Sequence, residues 1–111
     1  MQVQFATREL QKRLGSEKAR RRYLGDEAAN RLYERLLQLQ GAPSLDTLRH
    51  SAGKCHELSG DRKGQLAMSV TRNYRLVFEP AREPVPRLGD GGLDWRGVTS
   101  VMILEVVDYH G

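Results

Sequence analysis

The chain has 111 residues, 39% hydrophobic and 6% aromatic, which allows one modest core and sets the expectation of a single domain over residues 1–111. Eighteen Lys and Arg against fourteen Asp and Glu give a net charge of +4, and one cysteine with three histidines excludes an internal disulfide framework and a Cys-rich zinc site. No stretch approaches the ~20 apolar residues that span a membrane, and the opening MQVQFATREL has no apolar run of a secretory signal, so the expected location is the cytoplasm.

Val3 and Phe5 alternate with Gln2 and Gln4 as in a short strand. Arg8 to Leu14 reads as helical, and Gly15 interrupts it. Ser16 can cap a short basic helix running to Leu24 and Gly25. Asp26 reads as the N-cap of a longer helix, with Leu32, Leu36 and Leu39, together with Tyr33 and Leu37, on its apolar face. Gln40-Gly41 ends that helix and Pro43 forbids its continuation. Ser44 to Leu48 suits one more helical turn.

From Lys54 onward the period changes to two. Cys55 to Leu58 reads as a strand and Ser59 to Gly64 as a turn with glycine at both shoulders. Leu66, Met68 and Val70 alternate with Ala67 and Ser69. After Thr71-Arg72-Asn73, Tyr74, Leu76 and Phe78 alternate with Arg75 and Val77, which makes a hairpin. Residues 80–97 hold three of the four prolines, four glycines and the only tryptophan, Trp95, and read as a long surface loop whose tryptophan packs the loop onto its own sheet in preference to anchoring a partner. A last strand runs from Val98 to Val107. Strand, helices and then a run of strands is an α+β order, with N-terminal helices on one face of a curved, mainly antiparallel sheet and the other face partly open.

Charge is unevenly spread along this order. Residues 1–25 carry +5 and residues 46–75 carry +3, in an otherwise acidic chain. A solvated helix face accounts for such blocks, and so does a phosphate-binding surface. Candidate contacts are Arg20, Arg21 and Arg22 in the first block and Lys54, Arg62, Lys63 and Arg72 in the second. No metal motif, P-loop or GxGxxG is present, and no cofactor or metal is expected. Cys55 reads as a small buried strand residue.

His56, Arg75 and the Asp108-Tyr109-His110 end lie on strands that an antiparallel sheet can bring together. Two imidazoles, a guanidinium and a phenol suit RNA cleavage without a metal. A base takes the 2′-OH proton, an acid protonates the 5′-oxygen, and cations stabilise the charge growing on phosphorus. Histidine suits both proton transfers. Each histidine taken alone also fits a bland role, His56 at a strand edge and His110 at the end of the chain.

Residues His56-Glu57-Leu58-Ser59-Gly60-Asp61-Arg62-Lys63-Gly64, then Ser69-Val70 and Asn73-Tyr74-Arg75-Leu76-Val77-Phe78, with the final Asp108-Tyr109-His110, resemble the HigB-type "killer protein" branch of the RelE/ParE toxin superfamily. The likeness covers the C-terminal half. It implies the toxin of a type II toxin–antitoxin pair, a ribosome-dependent endoribonuclease (an mRNA interferase) acting on mRNA without a metal. The implied partners are a cognate antitoxin of the helix-turn-helix DNA-binding kind, the ribosome and mRNA, with no membrane. The implied catalytic positions are His56, Arg75, Asp108, Tyr109 and His110: histidines for proton transfer, Arg75 on the scissile phosphate, Tyr109 on the substrate and Asp108 positioning a neighbour. Two departures stand out. Ser59 occupies a position where better-known members carry lysine, and the 80–97 loop is longer than in compact members. A ParE-like inhibitor of DNA gyrase and a catalytically degenerate RNA- or partner-binding member are the alternative readings.

Overall fold

A computed structural model describes residues 1–108; the expected site residues Tyr109 and His110 lie outside the described residues. Strand β1 (Gln2–Phe5) leads into three helices, α1 (Arg8–Leu14), α2 (Glu17–Leu24) and α3 (Asp26–Gly41). Four strands follow: β2 (His56–Glu57), β3 (Leu66–Ser69), β4 (Tyr74–Pro80) and β5 (Ser100–Asp108). They form one sheet in the order β1-β5-β4-β3-β2. The β1–β5 pair is parallel and the others are antiparallel, so the expected mainly antiparallel α+β architecture holds.

Each helix start has a local cause. Thr7 Oγ1 accepts from the Leu10 N–H at 3.0 Å and Ser16 Oγ from the Ala19 N–H at 3.2 Å, satisfying donors that a helix leaves orphaned. Asp26 is not the cap of α3. Gly25 takes that place at φ +82°, a conformation that favours glycine, while the Asp26 carboxylate accepts from Arg21 Nη1 at 3.2 Å.

Leu32, Leu36 and Leu39 are buried with Ala28 and Ala29 against the sheet. Tyr33 and Leu37, expected on the same face, are 47% and 46% exposed. The stripe instead admits Arg35, which is only 8% exposed. Its Nε donates to the Ser69 carbonyl at 2.7 Å and its Nη1 to Gln38 Oε1 at 2.8 Å, so the charge is buried with its donors engaged. Gly53 makes room for it. A Cβ there would lie 2.8 Å from Arg35 Nε, and the Gly53 carbonyl accepts from the Ser69 N–H at 2.7 Å. Helix α3, the loop before β2 and the end of β3 thus meet at one junction.

In the sheet, Leu66, Met68, Leu76, Phe78, Val101 and Ile103 point at the helices and are fully buried. Each such side chain contributes about 1.5–3 kcal/mol relative to exposure. Ala67 and Val77 alternate to the other face, yet they are buried too, so that face is open at His56 and Glu105 and closed over its middle, between β3 and β4. The strand expected over 55–58 shrinks to two residues, because Lys54 at φ +51° turns the chain just before it. The last strand starts at Ser100 rather than Val98.

The 80–97 segment corrects the expectation of a surface loop. Leu93 and Trp95 are buried in the core cluster, and Val85 packs against it. Trp95 Nε1 donates to Glu57 Oε2 at 3.0 Å, and the Arg49 guanidinium lies 4.2 Å from the indole centroid. An indole and a leucine supply the apolar area that brings a Pro- and Gly-rich segment onto the sheet edge. Among the described residues no helix is long and apolar enough to cross a membrane.

Candidate functional site

The helices cover one face of the sheet, and strand alternation fixes what the opposite face carries. His56 on β2 pairs with Ala67 on β3, Ala67 with Val77 on β4, and Val77 with Glu105 on β5. These four residues form a row across the open face. One step along, Arg75 lies between Ser69 and Val107 on the same face. With strands ~4.8 Å apart and ~3.3 Å per residue, the Cα atoms of His56 and Arg75 stand roughly 12 Å apart.

His56 is exposed, and its Nδ1 lies 2.8 Å from the Lys54 carbonyl. A carbonyl only accepts, so in the neutral ring Nδ1 carries the hydrogen and Nε2 is the basic nitrogen. The left-handed backbone of Lys54 aims that carbonyl, and the lysine side chain stays exposed beside the ring. Arg75 is half-buried. Its Nη1 donates to the Thr71 carbonyl at 3.1 Å and the Tyr74 carbonyl at 3.3 Å, which anchors the guanidinium on the hairpin.

Arg62 reaches from the Gly60–Arg62 turn to Glu105 Oε2 at 3.0 Å and Gln65 Oε1 at 2.9 Å. Its side chain therefore passes over the row between His56 and Glu105. Glu105 is a residue that the motif reading missed. Its exposed place in a strand of otherwise apolar residues was the available signal, and it neutralises one of the cations expected to be free.

The remaining candidates are dispersed. Lys63 and Arg72 are exposed at opposite ends of β3, on the turn before it and on the hairpin after it. Asp108 pairs with Tyr74, and alternation puts it on the helix side of the sheet, away from Arg75. Ser59 is exposed before the Gly60–Arg62 turn. Arg20, Arg21 and Arg22 belong to α2 in the helical layer and are not part of the open face.

Arg20 departs furthest from expectation. It is 9% exposed, its Nη1 donates to the Leu14 carbonyl at 2.8 Å, and its guanidinium stacks 4.8 Å from the Tyr33 centroid. It closes the end of α1 instead of facing solvent. Arg21 is shared between Glu17 at 3.0 Å and Asp26 at 3.2 Å.

Burial pushes the Cys55 thiol up to about 12, partly opposed by the Arg49 charge and reinforced by Glu57. A thiol held protonated through neutral pH is no nucleophile. Among the described residues, no three His, Cys, Asp or Glu side chains converge as metal ligands.

No protein-family model matches the sequence, and no curated protein sequence does. Solved structures do match in fold. A YoeB/ParE toxin from Agrobacterium tumefaciens superposes with a TM-score of 0.57 at 12% identity, covering 97% of this chain and 98% of the other. A YoeB–YefM complex from Staphylococcus aureus gives 0.54 at 12% identity over 96% and 94% of the two chains. A YoeB dimer from the same organism gives 0.53 at 14% identity over 100% and 98%. At such identities the likeness is one of fold, three helices on a five-stranded mixed sheet.

Proposed function

We propose that this chain is the toxin of a toxin–antitoxin pair and an endoribonuclease that cleaves mRNA on the open face of its sheet. The observation that carries the reading is the placement of His56 and Arg75 on that one face, with the His56 tautomer fixed by the Lys54 carbonyl. The toxin folds it resembles support the class, and a YoeB solved in complex with YefM supports a cognate antitoxin as partner. The HigB-like motifs and ribosome dependence come from the sequence likeness.

In this reading the Arg75 guanidinium holds the scissile phosphate and stabilises the charge that grows on it. One histidine of the pair His56 and His110 removes the 2′-OH proton, and the oxygen attacks phosphorus. The other protonates the departing 5′-oxygen, leaving a 2′,3′-cyclic phosphate and a 5′-hydroxyl. His56 acts through Nε2. Tyr109 orients the substrate, and Asp108 positions a neighbouring group.

Arginine 75 and His56 are tested by Arg75→Ala and His56→Gln. Each is expected to lower cleavage about 10²–10⁴-fold and to relieve growth arrest while antitoxin capture persists. Full toxicity in both variants would remove the open face from the mechanism. A gyrase inhibitor would instead leave RNA intact and produce DNA damage in either background.

A further inference from the structure

The helical layer carries a cationic cleft that the sheet-face reading does not use. It lies between α1 and α2, offers about 590 Å³ open to solvent, and is lined by Lys12, Arg13, Lys18, Arg22 and Tyr23 together with the carboxylate-bearing Glu9. Arg13 is spoken for: it pairs with Glu9 at 2.7 Å and stacks 5.0 Å from the Tyr23 centroid, joining the two helices. Among the described residues Lys12, Lys18 and Arg22 have no carboxylate partner, in contrast to Arg21 on the same helix. Lys18 and Arg22 stand four residues apart on one helix face, a like-charge spacing that disfavours the isolated helix. An anion in the cleft relieves that repulsion.

We propose that the α1–α2 cleft is a second polyanion site, one that takes the phosphodiester backbone of folded RNA. Only the identity of the polyanion rests on the proposed nuclease function. The lining favours phosphate over an acidic protein segment. Its one aromatic ring, Tyr23, is already stacked with Arg13 and no other large apolar side chain lines it, whereas protein partners anchor through buried apolar or aromatic side chains. A phosphate backbone needs only positive charge and donors. The cleft and the open face lie on opposite layers of a molecule 25–26 Å across its short dimensions. The two sites therefore hold separate RNA segments, one for positioning and one for reaction.

The test is fluorescence anisotropy with a labelled RNA hairpin across a salt series. It compares the full chain with the combined Lys12→Gln, Lys18→Gln, Arg22→Gln variant, whose fold is checked by circular dichroism. Three lost phosphate contacts make the salt slope shallower by about three, so between about 50 and 200 mM salt the parent loses roughly 40-fold more affinity than the variant. Should the triple variant not fold, Lys18→Gln alone is expected to lower the slope by about one. An unchanged slope overturns the proposal. So does an equal loss of binding to a polyglutamate peptide, which marks the cleft as a protein-docking surface. Cleavage is read in parallel, with the same protein preparations added to ribosomes translating an mRNA. A parent chain that binds the hairpin with the full slope, yet cleaves no mRNA when added to translating ribosomes, removes the nuclease reading and leaves this site standing.

Discussion

The Cys55 thiol and the His56 imidazole are neighbours in sequence with opposite fates, because a strand turns successive side chains to opposite faces. Cys55 points into the core and is held protonated to about pH 12. Its folded value lies above the ordinary 9.0, so its contribution to stability is complete below pH 9 and is lost as pH rises from 9 toward 12. Thermal melts over that range should fall more steeply for the parent than for Cys55→Ala, with the difference between the two curves as the readout. The native thiol is likewise expected to resist a disulfide reagent at pH 8 and to react on unfolding. His56 faces solvent with Nδ1 committed to a carbonyl. Its Nε2 is therefore the atom whose replacement matters. His56→Gln, whose amide reaches the place of the basic nitrogen without being able to take a proton there, should retain binding and lose turnover.

Short elements here are held by partners distant in sequence. Strand β2 has two residues, and its flanks are fastened by the Gly53–Ser69–Arg35 junction on one side and the Trp95–Glu57 bond on the other. Gly53→Ala puts a Cβ 2.8 Å from Arg35 Nε at φ +99°, and a loss of about 2 kcal/mol or more is expected in denaturant unfolding. Trp95→Phe removes the Nε1 donor together with part of the buried indole, at a cost of about 1 kcal/mol for the hydrogen bond and more for the lost burial. Helix caps at Ser16, the leucine face of α3 and the β3–β4 hairpin were legible from sequence because local spacing determines them. Packing of Trp95 onto its own sheet was legible too, but Arg35 and the Glu57 bond of Trp95 were not, since the partners Ser69 and Glu57 lie 34 and 38 residues away. A hydrophobicity pattern reads arginine in a helix as surface and a Pro- and Gly-rich segment as loop. Asp26 failed as a cap for a related reason: Arg21, outside its helix, takes the carboxylate.

Viewed as a whole molecule, the protein separates two cationic regions that one net charge of +4 conceals. The sheet face keeps Arg75 and His56 in one register frame while Glu105 restrains Arg62. The helical layer keeps Lys12, Lys18 and Arg22 around a cleft after committing Arg20 to Leu14 and Arg21 to two carboxylates. Motif reading found the first region because its residues share strands with the matched pattern. It identified the second only as a charge block, with Arg20 and Arg21 in place of Lys12 and Lys18, because burial and ion pairing decide which cations remain available. Exposed pairs such as Arg62 with Glu105 contribute about 0–1 kcal/mol, so an approaching phosphate can displace Glu105 at little cost.

The central claim is that the open sheet face cleaves mRNA, and transcriptome-wide mapping of RNA 5′ ends after brief induction of the chain tests it most directly. The account predicts new 5′-hydroxyl ends clustered inside translated reading frames, absent when Arg75→Ala is induced to the same level. Growth arrest with unchanged 5′ ends in the parent chain would contradict it.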